Sequence, residues 1–271
     1  MSSSRIKVIV PHLVERKNAS EVLTMVTAYD STFASIVDEA GVDLILVGDS
    51  VATVMQGQKT TLGVSMEHME YHVQMVASAK PKALIVGDMP FGSYQASVRD
   101  AVNNAVRLIK AGAEIVKLEG GIHARAAIEA IVRSDIPVMG HIGLTPQSYH
   151  RMGGNKVQGR TDGAQAGSRE RIYEDARAVE EAGVCAFVIE AVPADLAWQI
   201  TTAAGVPTIG IGAGVNCDGQ VLVLHDLLGL SERSFTFAKA YSNLRQTSLN
   251  AVAEYVSDVQ SRRFPDASNS F

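Results

Sequence analysis

The feature that most restricts the fold of this chain is a series of short apolar runs separated by helical segments. Seven such runs occupy residues 24–30, 44–50, 83–89, 114–120, 136–142, 185–191 and 206–212. Most of them lack the alternation of apolar and polar residues that marks a half-exposed strand, so they predict parallel strands covered on both faces. The segments between them, such as 168–183, carry apolar residues at helical spacing with charges opposite, which is typical of amphipathic helices.

Three of the predicted helices end in the same dipeptide, directly before a strand. These dipeptides are Ala40-Gly41, Ala111-Gly112 and Ala182-Gly183. Because glycine readily adopts the left-handed conformation that ends a helix, each copy predicts a helix–turn–strand unit. With an eighth strand around 221–228, these units predict a (β/α)₈ TIM barrel. The alternative is an open doubly wound sheet, although the lack of G-x-G-x-x-G after the first strand argues against its dinucleotide-binding form.

Chain length and composition indicate one domain that acts on small molecules. The 271 residues fit a single barrel over 1–271, with a short N-terminal extension and a C-terminal helix near 235–262. The net charge of −5 comes without a basic cluster, which argues against nucleic acid as a partner. No run approaches the roughly 18 apolar residues of a membrane helix, and residues 1–21 lack the features of a secretory signal. We therefore expect a cytoplasmic protein.

Acidic residues close several of the predicted strands. Asp49 and Asp88 end neighbouring strands, and Glu119 ends the next one. The carboxyl ends of parallel strands share one face, so these acids should converge there, and two adjacent carboxylates repel unless a proton or a cation intervenes. Oxygen ligands without histidine or cysteine favour Mg²⁺. We expect Asp49 and Asp88 to bind Mg²⁺, with Glu119 as a direct or water-mediated ligand; the alternative is that these acids only cap the following helices.

Three further side chains are expected at the same face. Lys117 alternates with Glu119 along its strand, so both point the same way, and a cation beside acids indicates an anionic substrate. The alternative is an internal salt bridge with Glu119, which is compatible with that role. Glu190 follows an apolar strand, and burial would raise its pKa towards the range of a general base. His141 ends the preceding strand, and we expect it to support the substrate site by hydrogen bonding.

This set of groups suits the removal of a proton next to a carbonyl. A 2-oxo acid could chelate the metal through its keto and carboxylate oxygens, and the metal would then stabilise the resulting enolate. Glu190 would take the proton. The residues alone predict this reaction class and no particular substrate.

Several longer motifs resemble the ketopantoate hydroxymethyltransferase (3-methyl-2-oxobutanoate hydroxymethyltransferase) family from about residue 20 to 265. They are TAYD, VGDS, EGG, GHIGLTPQS, GGNKVQGR, PTIGIGAG and DGQVLVLHD. The resemblance implies a TIM barrel of the phosphoenolpyruvate/pyruvate superfamily type. It also implies the first committed step of pantothenate biosynthesis, in which a hydroxymethyl group passes from 5,10-methylenetetrahydrofolate to 3-methyl-2-oxobutanoate, giving 2-dehydropantoate.

By motif, the resemblance implies that Asp49 and Asp88 bind Mg²⁺ and that Glu119 is the further carboxylate of the metal site. It implies that Lys117 contacts the substrate, and it adds Ser50 as a contact to the oxo acid through its hydroxyl or backbone N–H. The motifs do not assign the folate contacts.

The resemblance also implies that Glu190 is the proton acceptor and that the chain forms a large homo-oligomer, often a decamer. One alternative is another Mg-dependent 2-oxo acid lyase or decarboxylase of the same superfamily, but we find no flexible cysteine-bearing loop of the kind expected of such a lyase. A second alternative is a non-enzymatic barrel, which predicts the loss of a metal or base position, whereas all of these positions are present.

Overall fold

Eight parallel strands form a closed barrel in the computed structural model, which describes residues 5–163, 165, 167–232 and 235–271. Each strand pairs with the next one along the chain, and the last pairs with the first. The strands are β1 (Leu23–Thr27), β2 (Leu44–Val47), β3 (Leu84–Asp88), β4 (Ile115–Lys117), β5 (Val138–Gly143), β6 (Ala186–Glu190), β7 (Thr208–Ile211) and β8 (Gly219–Leu222). The predicted (β/α)₈ barrel is confirmed, and the open sheet is excluded.

The chain forms two compact units, Met1–Val223 and Leu224–Phe271. The helices of the first unit are α1 (Val10–Asn18), α2 (Ser31–Glu39), α3 (Val51–Val54), α4 (Met66–Ser78), α5 (Val98–Ala111), α6 (Arg125–Val132), α7 (Tyr149–Met152), α8 (Arg169–Glu181) and α9 (Ala194–Ala203). Those of the second unit are α10 (Leu224–Leu227) and α11 (Leu244–Gln260). That 1–271 forms a single domain stays a prediction.

The helix ends follow from local sequence. Asp30 caps α2 by accepting a hydrogen bond from the Phe33 N–H, and serines occupy the corresponding positions before α4, α5 and α8. The glycines of the three repeated dipeptides all have positive φ, as predicted for helix-ending residues. His68 and His72, which stand four residues apart, lie on α4, where His72 Nδ1 is 2.8 Å from the backbone oxygen of Tyr29.

Alternate strand residues fill the barrel interior with apolar side chains. The buried cluster contains Leu23, Met25, Leu44, Leu46, Leu84, Val86, Ile115, Met139, Ala186, Val188, Ile209 and Val221. Leu13 of α1 belongs to the same cluster and is fully buried. Successive strand residues point to opposite faces. A residue two positions after one of these core residues on the same strand therefore also points into the barrel.

Two predicted boundaries were wrong. The eighth strand is Gly219–Leu222, and much of the range predicted for it forms the short helix α10. The C-terminal helix begins at Leu244 instead of near 235. Asn243 explains the later start, because its side chain accepts a hydrogen bond from the Gln246 N–H and so satisfies a donor that the first turn leaves free.

The second unit consists mainly of one exposed helix. Apolar side chains along α11 are exposed, namely Leu249, Val252, Tyr255, Val256 and Val259. Within the described ranges, no helix has the length and apolar character needed to cross a bilayer.

Replacement of Leu44 by alanine should lower the free energy of unfolding by about 2–5 kcal/mol, because it leaves a cavity in the barrel interior. Leu44 is fully buried, whereas Ile36 on α2 is 52% exposed and serves as the matched control. Chemical denaturation should show a change below about 0.5 kcal/mol for Ile36→Ala. Equal effects of the two substitutions would contradict the placement of the core.

Candidate active site

A charged layer covers the apolar interior at the carboxyl ends of the strands. Asp88, Lys117, His141 and Glu190 lie two residues after Val86, Ile115, Met139 and Val188, respectively. Because side chains two positions apart on a strand point to the same face, these four residues also point into the barrel. Asp88, Lys117 and His141 are each at most 3% exposed. The barrel thus ends in a buried layer of ionisable groups.

The predicted convergence of Asp49 and Asp88 is confirmed. The backbone N–H of Asp49 donates to Asp88 Oδ2 at 3.1 Å. Lys117 Nζ lies 2.8 Å from Asp88 Oδ1, so its closest ion pair is with Asp88 and not with Glu119. Asp88 and Lys117 are directly opposite each other on β3 and β4, which explains this pairing.

Burial and mutual repulsion perturb the acids. Burial, together with the charges of Asp88 and Glu119, raises the pKa of Asp49 well above its ordinary value. Burial also raises the pKa of Asp88, although the Lys117 charge opposes this. Burial alone would lower the pKa of Lys117, but the three surrounding carboxylates outweigh it and raise that pKa. Ionisation of both aspartates is therefore disfavoured in this layer unless a cation joins them.

His141 bridges two carboxylates. Its Nδ1 is 3.5 Å from Glu119 Oε1, and its Nε2 is 3.2 Å from Glu190 Oε2. Burial and the Lys117 charge lower the pKa of His141, but hydrogen bonds to the two glutamates outweigh them and raise it to about 9. Burial likewise raises the pKa of Glu119, but His141 and Lys117 reverse this, and the net shift is downwards. With a pKa of about 9, His141 would carry a second ring proton at neutral pH, and its Nδ1 also lies 3.4 Å from Lys117 Nζ.

Two uncharged residues that the sequence analysis did not select tie the acids together. Gln147 Nε2 donates to Asp49 Oδ2 at 3.0 Å, and the Gln147 backbone N–H donates to Glu119 Oε2 at 2.9 Å. The Tyr94 hydroxyl donates to Gln147 Oε1 at 2.7 Å and accepts from the Glu119 N–H at 3.1 Å. Gln147 lies in the motif GHIGLTPQS, so the motif could have identified it as a site residue. No sequence pattern marks Tyr94, which is an uncharged residue in a loop.

Ser50 lies next to Asp49 and is partly exposed. Its Oγ is 2.9 Å from the hydroxyl oxygen of Tyr29. The structure therefore places Ser50 beside the acid pair, with one hydrogen bond already made within the chain.

The donor set fits one divalent cation held by two carboxylates. When ionised, Asp49, Asp88, Glu119 and Glu190 carry four negative charges, against two positive charges on Lys117 and the His141 imidazolium. In the portion of the chain that the structure describes, no group of three or more His, Cys, Asp or Glu side chains is arranged to hold a metal ion. The oxygens of Glu119 already face His141 and the Gln147 N–H. Asp49 and Asp88 suit Mg²⁺, which takes one or two protein carboxylates together with water and substrate oxygens.

Sequence comparisons find one family along nearly the whole chain. Residues 7–267 match the ketopantoate hydroxymethyltransferase family. The 3-methyl-2-oxobutanoate hydroxymethyltransferase of Pelobacter propionicus is 52% identical over 273 residues, covering 100% of each chain. The protein of the same name from Geobacter sulfurreducens is 55% identical over 257 residues, covering 94% of this chain and 95% of the relative.

Solved structures share the fold at low sequence identity. A phosphonopyruvate hydrolase in complex with oxalate and Mg²⁺ superposes with a TM-score of 0.62 and 13% identity, covering 98% of this chain and 93% of that chain. A 2,3-dimethylmalate lyase of the PEP mutase/isocitrate lyase superfamily gives a TM-score of 0.60 and 16% identity, covering 97% and 89%. These neighbours share the barrel fold of this chain.

Gly143 packs closely against the backbone of Glu190. It ends β5 with φ +89°, and a Cβ atom there would lie 2.3 Å from the backbone oxygen of Glu190 and 2.7 Å from a methyl carbon of Val192. Only glycine combines this conformation with so close an approach. The segment that carries Glu190 therefore packs directly on the end of the neighbouring strand.

Gly143→Ala should destabilise the fold more than Gly92→Ala, which has nearly the same φ of +88° but nothing within 4 Å of the added Cβ. The left-handed conformation alone accounts for about 1–2 kcal/mol in both variants. The clash should add about 1–3 kcal/mol at Gly143 only. Urea denaturation measures both values. A Gly143 variant no less stable than the Gly92 variant would contradict this packing.

Proposed function

We propose that this chain, which belongs to the ketopantoate hydroxymethyltransferase family, transfers a hydroxymethyl group from 5,10-methylenetetrahydrofolate to 3-methyl-2-oxobutanoate. The products are 2-dehydropantoate and tetrahydrofolate, with one water consumed. This is the first committed step of pantothenate biosynthesis. The observation that carries the proposal is the buried charged layer, in which an acid pair lies beside a lysine, and a glutamate paired with an imidazolium faces the same barrel mouth.

Asp49 and Asp88 would hold Mg²⁺, with Glu119 contributing through water. The proposal is supported by the excess negative charge of the layer and by the raised pKa of Asp49. When bound, Mg²⁺ supplies a Lewis acid that polarises the keto group of the oxo acid.

The oxo acid is bound by groups of the chain as well. The Lys117 ammonium supplies positive charge that attracts its carboxylate. The Ser50 hydroxyl or backbone N–H donates a hydrogen bond to one of its oxygens. Because Lys117 is buried and paired with Asp88, and the Ser50 hydroxyl is bound to that of Tyr29, both groups are already positioned before the substrate binds.

Glu190 would accept the proton from C3 of the oxo acid. His141 is a positioning residue, because its imidazolium holds Glu190 Oε2 at 3.2 Å. The carbon that loses the proton then forms a bond to the one-carbon unit of the folate. The bonds of that unit to N5 and N10 break, water supplies its hydroxyl group, and the two nitrogens take up the C3 proton and the remaining proton of the water.

We further propose that the protein works in the cytoplasm as a homo-oligomer, a decamer by its family. The row of exposed apolar side chains on α11 supports a contact between copies. Its substrates are small molecules, and neither nucleic acid nor membrane takes part.

Incubation with Mg²⁺ and 3-methyl-2-oxobutanoate in deuterated water tests the chemistry, with the C3 proton followed by NMR. Exchange in the absence of folate, followed by formation of 2-dehydropantoate once methylenetetrahydrofolate is added, is the expected result. Exchange without that product would favour a lyase or decarboxylase of the same superfamily, and no exchange would exclude the mechanism.

Glu190→Gln should slow the C3–H exchange by about 10²–10⁴-fold, because the residue loses its ability to accept a proton. Its affinity for Mg²⁺, measured by calorimetry, should stay close to that of the unsubstituted protein. Glu174→Gln, at an exposed position on α8, serves as the control. Loss of both exchange and metal binding would assign Glu190 to the metal site instead.

Asp88→Asn should weaken Mg²⁺ binding by about tenfold or more, since an amide replaces a charged ligand. The asparagine keeps the shape of the side chain and leaves an oxygen for Lys117. Asp135→Asn is the control, because Asp135 is exposed and its positive φ suits asparagine. If calorimetry gives equal Mg²⁺ affinities for the two variants, Asp88 is not a ligand.

A further inference from the structure

A large cavity adjoins the charged layer and extends well beyond it. Its volume is about 1120 Å³, and Tyr94, Glu119 and Gln147 form part of its wall. Ligand sites for drug-sized molecules typically measure about 300–1,000 Å³. The small oxo acid would fill only a fraction of this space, so the cavity has room for a much larger second ligand.

Asp175 of α8 lines this cavity away from the acid pair. Its Oδ1 accepts a hydrogen bond from the Ile122 N–H at 2.9 Å, and Arg171 Nε lies 3.8 Å from the same oxygen. Among the residues that the structure describes, none donates a hydrogen bond to its Oδ2. Burial raises the pKa of Asp175, even though the Ile122 N–H and nearby cations oppose the rise. This carboxylate therefore has an acceptor oxygen left for a ligand.

Gly121 makes this position of Asp175 possible. A Cβ atom on Gly121 would lie 2.0 Å from Asp175 Oδ1. The glycine pair of the EGG motif thus lets a carboxylate from α8 reach the chain just after Glu119. The Ile122 N–H that donates to Asp175 lies three residues after Glu119 in the sequence.

Lys156 lies at the exposed side of the same cavity, within the motif GGNKVQGR. In the described part of the chain, no carboxylate lies within ion-pair distance of its ammonium group. Its segment is fixed to the barrel, because the Gln158 N–H donates to the backbone oxygen of Ala191 at 2.9 Å. An anchored segment thus presents a free cation to the cavity.

We infer that this cavity binds the folate co-substrate, with Asp175 accepting hydrogen bonds from the pterin ring and Lys156 pairing with the carboxylates of the glutamate tail. The inference rests on the proposed function. The 2-amino group and the N3–H of a reduced pterin are adjacent donors on one edge, and either can donate a hydrogen bond to Asp175 Oδ2, the oxygen that the Ile122 N–H leaves free. Apolar side chains such as Ile142 and Ile172 line the space between and suit the flat rings.

Binding of tetrahydrofolate and of 6-methyltetrahydropterin, which lacks the benzoyl-glutamate tail, separates the two roles. Asp175→Asn should weaken both ligands about tenfold, because a hydrogen bond to a charged group is lost. Lys156→Gln should weaken tetrahydrofolate about threefold and leave the pterin unchanged, as expected of an exposed ion pair. Calorimetry measures both affinities. Asp195→Asn and Lys110→Gln are the controls, since both residues are exposed and neither lines the cavity.

Exchange of the C3 proton of 3-methyl-2-oxobutanoate, measured without folate, distinguishes failure of this inference from failure of the proposed function. Both cavity variants should exchange the proton at the rate of the unsubstituted protein, which also shows that they are folded. Unchanged affinity of either variant for tetrahydrofolate would overturn the inference. Loss of exchange in Asp175→Asn would also overturn it, because the residue would then act on the oxo acid site. Absence of exchange in the unsubstituted protein would instead contradict the proposed function.

Discussion

The contact between Asp49 and Asp88 is the constraint on which the rest of the site depends. Closure of the barrel brings two carboxylates together in a buried layer, where the Asp49 N–H binds Asp88 and a single lysine faces the pair. Burying like charges is unfavourable unless something balances them. Lys117 and the His141 imidazolium balance two of the four negative charges in the layer, and a divalent cation would balance the other two.

Neutral groups make this arrangement rigid. Gln147 and Tyr94 connect Asp49 to Glu119 through hydrogen bonds of 2.7–3.1 Å, so both acids belong to one network. His141 extends the same network to Glu190. The proposed metal site and the proposed proton acceptor are therefore linked through hydrogen bonds and the His141 ion pairs, and Tyr94, Glu119 and Gln147 also form part of the wall of the adjoining cavity.

Much of the fold and the charged layer could be predicted from sequence, because both follow from local patterns. Strand parity places Lys117, His141 and Glu190 inside the barrel once the apolar runs are recognised. The partner of Lys117 could not be predicted, because the register that sets Asp88 opposite it depends on the closed barrel. Tyr94, Gln147 and Asp175 were missed for a related reason: loops and helix packing bring them in, and no periodicity marks them. The roles of these residues, unlike their positions, stay predictions.

Electron paramagnetic resonance of bound Mn²⁺, used in place of Mg²⁺, tests most directly whether the acid pair holds a metal ion that the oxo acid contacts. The protein is saturated with Mn²⁺ and with 3-methyl-2-oxobutanoate carrying oxygen-17 in its keto group. Direct coordination predicts that the lines of the bound ion broaden relative to the unlabelled acid. Bound Mn²⁺ whose lines do not change, or no bound Mn²⁺ at all, would contradict the account.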